Sequence, residues 1–506
     1  MFNKQRLHKL TLVTQFYNIL VRILSGSFFI IVLAFFQEPD LSNILIFLGI
    51  FLALSLLLFV VETVKYFRTY YWIEGNRLVL QTGLFIQKEK DIQISRIQSI
   101  DTSEDIVHRL LKVTKITVNT PGQGLILDAL SVSQYKALSD YLNQLKISLN
   151  KRTEDEFPED KLAVDDNSEV IRSEAEDAPA ETTLLQLSVG EIVKMTILNG
   201  AIFRGFFIFL IGFNFLTDLP LDDLFTEVGS VFISASIIIL LASIFIGMIL
   251  IYTIGIIASI IKNYGYKVTL SGEHLNIKKG LLETQSQTVP LKNVQTLEEK
   301  QNWLMKFFGY TTFSLGLTSD SSQKNNENKT EIKEDGQVVL FPIVKSEKLN
   351  PLVKQCFPEF VLSPVENVVP VRSIRRFIQF PVLFWLIIAA AISIMFWVYA
   401  WIAGLILILF YGFYGYRSYK LTGYHLCENE ITVQTPTLFA LTKTYVPKNR
   451  ILNLQVKQNL FLKRANLMKT NFSTAHGIAS KEFKLKYIEE KDAFKIFEWF
   501  RNGGIN

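Results

Sequence analysis

A pattern that occurs three times, each time after a long apolar block, constrains this chain more than any other feature. Each copy starts at a tyrosine, passes a tight turn and a chain-breaking residue, and ends in a short apolar run. The copies are Tyr71–Leu78, Gly83 and Arg96–Ile100; Tyr266–Glu273, Gly280 and Asn293–Leu297; and Tyr424–Ile431, Pro436 and Arg450–Leu454. Because this unit is much longer than a solenoid repeat, each copy can form a domain of its own.

The composition is typical of a membrane protein. Of the 506 residues, 49% are hydrophobic, 20% are charged and 40 are phenylalanine, and the mean hydropathy is +0.27. Cys356 and Cys427 lie far apart in the sequence, so a disulfide framework is not implied and reducing surroundings are the simpler interpretation.

The net charge of +5 is unevenly distributed. Between Glu154 and Glu181 twelve acidic residues face two basic ones, a balance of −10, so the remainder carries +15 (5 minus −10). This positive remainder suits a protein that lies against an anionic leaflet, and equally an ordinary positive-inside bias. No cleavable signal peptide is evident, because the first apolar block is long and lacks a small-residue cleavage site.

Six segments are long enough to cross a bilayer core, and they fall into three pairs. The links within the pairs are acidic, neutral or very short, whereas basic residues flank each pair, so the positive-inside rule predicts that all flanks are cytoplasmic. The segments are Ile19–Phe36, Ile44–Val61, Met195–Leu216, Val231–Ile254, Ile378–Tyr399 and Trp401–Tyr416.

Arg22 and Arg204 lie within apolar blocks. Both are in the cytoplasmic third of their segments, where the side chain can reach the interface, and the alternative is an intramembrane functional site. The middles of the other segments hold no ionisable residue, which counts against a proton-coupled transporter.

Each soluble repeat is expected to be an α+β unit of several strands closed by one helix. Hairpin signals surround Gly75, Gly272 and Asn429, and a further apolar strand is predicted at Lys115–Val118, Thr311–Leu315 and Thr470–Phe472. The closing helices are predicted at Ser131–Ile147, Lys345–Phe360 and Glu489–Phe500. The first of them begins with a capping-box-like Ser131 and Gln134. A small barrel or bent sheet with a helix at one end fits this order.

The repeated pattern resembles the bacterial PH-like domain of the YdbS-like family. The order of two spans and one such domain, three times over, resembles that of the YdbT-type membrane proteins of Gram-positive bacteria. The residues that carry the resemblance are Tyr71, Gly83, Gln98, Tyr266, Gly280, Gln295, Tyr424 and Pro436. The third copy departs from the pattern, with Pro436 in place of glycine and Leu452 in place of glutamine.

The resemblance implies a multi-domain membrane protein with six transmembrane helices in three hairpins and three PH-like barrels, each with a C-terminal helix. It also implies membrane lipids and a smaller membrane protein with a single PH-like domain as partners. The expected divisions are hairpins at 1–65, 185–262 and 363–417, PH-like domains at 66–150, 263–362 and 418–506, an acidic disordered linker at 151–184 and a flexible insertion at 318–337.

Motifs for catalysis, metals or nucleotides are missing from the sequence. The five histidines lack metal-ligand spacing, and no HExxH, CxxC, Walker loop, dinucleotide fingerprint or nucleophile elbow occurs. We therefore expect no catalytic residue, metal or cofactor, and no nucleic acid partner. The first hairpin turns hold too few cations to predict phosphoinositide binding.

A short amphipathic stretch follows each Ile/Val-Gln position or its equivalent. It is either a structural turn packed over the barrel or a segment that dips into a lipid surface or a partner. The candidate residues for such a surface are Arg109, Trp303, Lys306, Phe461 and Lys463.

The sequence thus predicts a non-enzymatic, polytopic cell-membrane protein. Its N-terminus, C-terminus and three PH-like modules would be cytoplasmic, and the modules would present a scaffold or binding surface for proteins or lipids. The resemblance suggests a role in envelope homeostasis or stress tolerance. The alternative is a transporter or lipid-handling protein with a pathway between the hairpins. A membrane enzyme is the third interpretation, disfavoured by the missing catalytic motifs.

Overall fold

The structure of the protein is a computed structural model. It describes residues 4–21, 23, 41–120, 123–142, 145, 181–200, 237–318, 337–395, 400–476 and 479–501. The described residues form two compact units, one that ends at Pro290 and one that begins at Leu291. Most of the predicted acidic linker and insertion lie outside the described residues, although the last residues of the linker belong to a strand.

The helices are either long and apolar or short and attached to sheets. Residues 132–142 form a helix that we label α4. The others are α1 (Thr11–Val21), α2 (Leu41–Phe67), α3 (Ile106–Leu111), α5 (Val189–Leu198), α6 (Ile237–Asn263), α7 (Trp303–Phe307), α8 (Ser346–Cys356), α9 (Ile374–Met395), α10 (Ala400–Leu421), α11 (Leu460–Lys463) and α12 (Glu490–Arg501).

Among the described residues, three helices are long and apolar enough to cross a membrane, at Gly49–Phe67, Phe245–Asn263 and Val371–Ala391. They correspond to the second, fourth and fifth predicted segments, so three candidates take the place of the expected six. The sixth segment lies within α10, and the first and third continue beyond the part of the chain that the structure describes. α2 runs past the predicted end of its segment to Phe67, and Glu62 and Lys65 form a 3.2 Å ion pair on its last turns.

α9 and α10 form the most completely described hairpin. Their backbones approach closely at glycines: a Cβ atom on Gly404 would lie 2.2 Å from the Cβ of Ala389, and one on Gly415 would lie 2.7 Å from the carbonyl oxygen of Phe377. Small residues permit such packing between helices in a membrane.

The strands of the first unit form two antiparallel sheets. One has the order β1-β2-β3-β4 and the other β7-β6-β5-β11-β10-β9-β8. The strands are β1 (Gln5–Arg6), β2 (Tyr70–Glu74), β3 (Arg77–Thr82), β4 (Lys88–Gln93), β5 (Ser99–Glu104), β6 (Val113–Thr120), β7 (Gln123–Ser131), β8 (Thr182–Gln186), β9 (Lys267–Ser271), β10 (His274–Lys279) and β11 (Thr284–Pro290).

The second unit repeats this arrangement. Its sheets have the orders β14-β13-β12-β18-β17-β16-β15 and β19-β20-β21. The strands are β12 (Val294–Asn302), β13 (Tyr310–Leu317), β14 (Gln337–Lys345), β15 (Asn367–Val368), β16 (Gly423–Leu426), β17 (Glu430–Pro436), β18 (Ala440–Pro447), β19 (Ile451–Lys457), β20 (Leu467–His476) and β21 (Ala479–Glu489).

The predicted local signals are confirmed. Gly75 and Gly272 take positive φ angles of 56° and 57° in the turns of the first two hairpins. Ser131 and Gln134 form a reciprocal cap at the start of α4, with 3.0 and 3.2 Å bonds between side chains and backbone N–H groups. The predicted apolar strands lie within β6, β13 and β20, and the predicted closing helices correspond to α4, α8 and α12.

A short strand before each predicted hairpin pairs with the strand that follows that hairpin. Gln5 lies opposite Tyr71, Leu185 opposite Val268, and Asn367 opposite Tyr424. The two legs of each hairpin are therefore attached to neighbouring strands of one sheet. Each PH-like fold thus includes residues on both sides of its hairpin.

Successive repeats share sheets through two junctions, which we call the first seam (β5 with β11) and the second seam (β12 with β18). In the first seam Ser103 lies opposite Gln285, and in the second Lys300 lies opposite Thr442. These pairs are equivalent, since Ser103 also lies opposite Lys115 of β6 and Lys300 opposite Thr312 of β13. Both seams are antiparallel and have the same register.

Two sheets and a helix enclose one core in the first and in the third repeat. The first core joins residues of β2, β3, β6, β7 and α4, among them Tyr71, Leu127 and Leu138. The third core joins residues of β16, β17, β20, β21 and α12, among them Tyr424, Phe472 and Ile496. This is the expected bent sheet closed by a C-terminal helix.

Candidate lipid-facing surface

The predicted amphipathic stretches are three equivalent short helices, α3, α7 and α11, each between two strands of its repeat. Each is followed by a residue in the left-handed region, Lys112, Gly309 or Asn466, with φ of 54°, 70° and 51°. One side chain of each helix is buried, at 2% exposure for His108, 1% for Met305 and 4% for Leu462. The helices therefore pack over the sheets as the structural interpretation predicted.

The opposite side of each helix exposes large apolar side chains. Trp303 and Phe461 of the predicted set are 47% and 60% exposed, and the cations Arg109, Lys306 and Lys463 are exposed beside them. Sequence reasoning missed the most exposed members, although each adjoins a predicted cation or aromatic residue: Leu110 (80%), Phe307 (82%) and Leu460 (80%).

The turn between the third and fourth strands of a repeat adds further exposed apolar residues. Phe85 is 91% and Ile86 74% exposed in the first repeat, and Phe439 is 56% exposed in the third. Arginine side chains bind the backbone of these turns: Arg68, just after α2, donates to the carbonyl oxygen of Leu84 at 2.6 Å, and Arg417 of α10 donates to that of Leu438 at 3.1 Å. The turns thus lie beside the ends of the long apolar helices.

The same turn of the second repeat meets both a long helix and a short one. The Leu281 N–H donates to the carbonyl oxygen of Ile261 in α6 at 2.9 Å. Arg109 of α3 donates to the carbonyl oxygen of Leu281 at 2.6 Å. Arg109 therefore positions α3 next to the end of α6.

In the third repeat, α11 lies against the start of α9. Arg376, in the first turn of α9, donates to the carbonyl oxygen of Phe461 at 2.7 Å. The ring centroids of Phe377 and Tyr487 are 4.8 Å apart, which joins α9 to β21 as well. Leu460 and Phe461, the exposed apolar residues of α11, form what we call the rim. The rim is therefore adjacent to the point where a candidate membrane span begins.

A row of lysines crosses the sheet beside this rim. Lys457 of β19 lies opposite Lys469 of β20, and the Lys469 Nζ atom is 5.3 Å from the ring centroid of Tyr487. Partial burial, and then the charges of Lys469 and Lys484, lower the pKa of Lys486. The equivalent opposed pairs are Ser103 with Lys115 and Lys300 with Thr312, so only the third repeat has lysine at both positions.

The first repeat has a buried ion cluster where α3 meets its sheet. The His108 Nδ1 atom contacts the Asp105 carboxylate, and its Nε2 atom lies 3.4 Å from an oxygen of Asp128. Burial opposes protonation of His108, but the hydrogen bonds and charges of Asp105 and Asp128 outweigh it and raise the pKa of His108 to about 9. The Asp105-x-x-His108 spacing was a local signal for this pair, whereas Asp128 comes from another strand.

The tyrosines and glycines of the repeat pattern have structural positions. Tyr71 and Tyr424 are buried at equivalent register positions, and the Tyr71 hydroxyl donates to Gln5 Oε1 at 3.0 Å. Tyr266 is also buried but lies just before β9, and Val268, two residues later, takes the register of Tyr71. Gly83 and Gly280 have φ of 151° and 107°, and a Cβ there would lie 2.0 and 1.8 Å from the carbonyl oxygens of Ile86 and Glu283.

The remaining pattern residues differ between repeats. Gln295 is 5% exposed, whereas its equivalent Leu452 is 63% exposed. The Gln98 N–H donates to the carbonyl oxygen of Asn119 at 2.8 Å. Pro436 ends β17 and lies opposite Leu441, so the third turn is built without the glycine of the other two.

Arg22 and Arg204, the two candidates for an intramembrane site, lie outside the described residues. Within the parts of the chain that are described, no three His, Cys, Asp or Glu side chains come close enough to hold a metal ion.

A family comparison accounts for the triple arrangement. The model of the family described as "Bacterial PH domain" matches residues 27–146, 223–355 and 376–503. The chain belongs to the bacterial PH domain family. The first match begins within the first predicted apolar segment, the second in the link before the fourth, and the third in α9, and each extends to the helix that closes its repeat. The family unit therefore includes at least one apolar segment.

A curated relative has the same extent. The chain is 24% identical over 442 residues to the "UPF0699 transmembrane protein YdbT" of Bacillus subtilis (strain 168), across 86% of each chain. The chain is therefore a membrane protein with three bacterial PH domains, as its sequence pattern predicted.

Proposed function

We propose that the protein is a non-enzymatic membrane scaffold whose bacterial PH domains lie on the cytoplasmic surface and bind lipid there. The observation that carries this proposal is the contact of Arg376 with the carbonyl oxygen of Phe461, which holds an exposed apolar rim beside the start of α9. The strand pairs that flank each hairpin support a common side for its two legs, and basic flanks at all three hairpins favour the cytoplasm.

The rim and the lysine row are suited to an anionic bilayer surface. Leu460 and Phe461 expose apolar side chains that gain free energy when they enter the acyl boundary. Lys457, Lys469 and Lys486 lie behind them at the depth of the headgroups. Partial burial, and then the charges of Lys469 and Lys484, lower the pKa of Lys486. An anionic headgroup bound there would relieve the repulsion between these cations.

A depth measurement tests the rim. We would attach an environment-sensitive fluorophore to a Phe461→Cys variant in nanodiscs and measure its quenching by spin-labelled lipids. Glu482→Cys, at an exposed position of β21, is the matched control. We expect strong quenching at position 461 and weak quenching at position 482. Equal, weak quenching at both positions would contradict it.

Lipid retention tests the lysine row. Native mass spectrometry of protein released from mixed phosphatidylglycerol and phosphatidylcholine nanodiscs measures which lipid stays bound. Each lysine near an anionic surface contributes about 1 kcal/mol, so the double variant Lys469→Gln, Lys486→Gln should lose roughly 30-fold in preference for the anionic lipid. Lys115→Gln, the equivalent of Lys469 in the first repeat, should change little.

A scaffold role extends this lipid contact to protein partners. The modules leave further exposed apolar residues on α3 and α7, where Leu110 and Phe307 are 80% and 82% exposed. Exposed apolar patches of this kind are characteristic of interaction sites. A role in envelope homeostasis or stress tolerance is the physiological setting that we attach to this proposal.

A further inference from the structure

β19 lies at the end of its sheet, in the place that a seam strand takes in the other two repeats. β5 has β11 on its outer side and β12 has β18, whereas the sheet that contains β19 ends there among the described residues. In each seam the outer neighbour is the fourth strand of the next repeat.

β4 lies at the other end of the series. It is the fourth strand of the first repeat, equivalent to β11 and β18, and within the described part of the chain its own sheet ends at it. The chain therefore carries two complementary sheet ends, one equivalent to the inner strand of a seam and one equivalent to the outer strand.

From this continuity with the two seams, we propose that β19 of one copy pairs with β4 of a second copy and so forms a third seam. The register follows from the existing seams. Ser103 opposite Gln285 and Lys300 opposite Thr442 are equivalent pairs, and the same position in the new seam would bring Lys457 opposite Lys88. Copies joined in this way would form a head-to-tail row along the membrane.

The sequence of β19 suits an edge that becomes covered. Isolated edge strands are commonly protected by charged residues. β4 has four charges in six residues, so it is protected against unspecific pairing while no second copy is present. β19 has one, Lys457, and exposes 63% of Leu452. An edge of this kind is a template for strand addition.

The occupant is a second copy because this chain itself provides a strand of the required type. The opposed Lys457 and Lys88 would repel each other, so the contact would be weak at low salt and stronger as salt screens the two charges. The assembly is therefore reversible, whereas the paired strands of the two existing seams belong to one polypeptide.

Cysteine cross-linking between differently tagged copies tests this pairing. One copy carries Lys88→Cys and the other Lys457→Cys, both at exposed positions, and membranes that contain both copies are oxidised. We expect a cross-linked species with both tags, about tenfold above a pair in which Leu452→Cys replaces Lys457→Cys, because position 452 lies about 16 Å further along the strand.

Two controls set the scale. Ser103→Cys with Gln285→Cys in one chain cross-links the first seam at the equivalent pair, and copies without added cysteines report the background from Cys356 and Cys427. A cross-link only within single chains that carry both Lys88→Cys and Lys457→Cys would overturn the second copy as occupant. A cross-link of Lys457→Cys to a different protein would do the same. Failure to cross-link while the first-seam pair reacts would overturn the pairing itself.

Discussion

β12 and β19 are equivalent strands of successive repeats, and they differ in what lies on one side of them. β12 runs between β13 and β18 and buries two glutamates, Glu298 and Glu299, at 5% and 8% exposure. β19 pairs with β20 alone among the described residues and carries Gln455 and Val456 at the equivalent positions.

The buried glutamates of β12 are satisfied by residues of the third repeat. Glu298 accepts a 2.7 Å hydrogen bond from Lys481, and Glu299 accepts one of 3.2 Å from the Tyr445 hydroxyl and one of 3.3 Å from Lys443. The first seam has an equivalent acid, Asp101, which accepts a 3.0 Å bond from the Thr288 N–H. An acidic residue thus occurs where a seam is built and is replaced by Gln455 where the strand ends its sheet.

Among the tests of this comparison, Glu298→Ala has the largest expected effect. Removing one partner of a buried ion pair leaves the other uncompensated, so we expect a loss of about 4 kcal/mol in the stability of the second seam. Gln455→Ala, at the equivalent exposed position of β19, should cost less than about 0.5 kcal/mol. Hydrogen exchange of residues 294–302 and 451–457 measures both effects. Similar losses in the two strands would break the comparison.

Gly280→Ala tests how the first seam depends on the turn that leads into β11. The new Cβ would lie 1.8 Å from the carbonyl oxygen of Glu283, and the residue would keep a φ of 107° that side chains disfavour. We expect a loss of about 3 kcal/mol, visible as faster hydrogen exchange in β11. The control is Gly272→Ala in the β9–β10 turn, where no atom lies within 4 Å and only about 1 kcal/mol of backbone strain is added. Protection of β11 that survives Gly280→Ala would show that the turn does not position the seam.

His108→Met tests whether the first repeat depends on its ion cluster, since Met305 occupies the equivalent place in the second repeat. The folded-state pKa of His108, about 9, is above its unfolded value of about 6.5. Its contribution to stability is therefore complete below about pH 6.5 and is lost as the pH rises through about 9. The variant should lose roughly 2 kcal/mol at pH 6 and show a flatter profile between pH 6 and pH 9.

Asp105 determines how the stability of the first repeat changes at acid pH. Burial raises the pKa of Asp105, but its hydrogen bonds with His108 and the charge of His108 outweigh this and lower it. The contribution of Asp105 is therefore present above its unfolded value and is lost as the pH falls through the lower folded-state value. Thermal unfolding measured from pH 3 to pH 10 records both limbs. His274→Gln, at an exposed position, is the control, and an equal change of profile in both variants would contradict the assignment.

Leu452→Gln is the mildest test and restores the residue type of Gln98 and Gln295. Because Leu452 is 63% exposed, we expect a change in stability within about 0.5 kcal/mol. Self-association of the purified protein, measured by sedimentation in detergent, should change only if the outer edge of β19 is occupied by another copy. A large loss of stability would show that Leu452 packs inside the third repeat.

Local signals in the sequence predicted much of the fold. The turns at Gly75 and Gly272, the cap formed by Ser131 and Gln134, and the closing helices all depend on residues close in the chain. The three candidate spans were evident from apolar length alone. Trp303 and Phe461 were predicted as bulky apolar members of amphipathic stretches, and both are exposed in the structure.

The seams could not be predicted in this way. Thr284 pairs with Glu104 across 180 residues (284 minus 104), and β5 and β11 are polar strands without clear alternation. The two-residue strands β1 and β15 are too short to leave a pattern. The repeat pattern aligned Tyr266 with Tyr71, but Val268 holds that register, so the alignment was wrong by two residues. Residues two apart in extended backbone face the same side, so the hydrophobic pattern does not distinguish them.

The strand pairs at the hairpin legs have a consequence for how the protein is made. β1 leaves the ribosome before either helix of its hairpin, and its partner β2 follows only after both. The first sheet therefore cannot close until the whole segment between its two strands has been made, and the same order holds for β8 with β9 and for β15 with β16. Completion of each sheet thus requires that the chain returns, after that segment, to the strand from which it left.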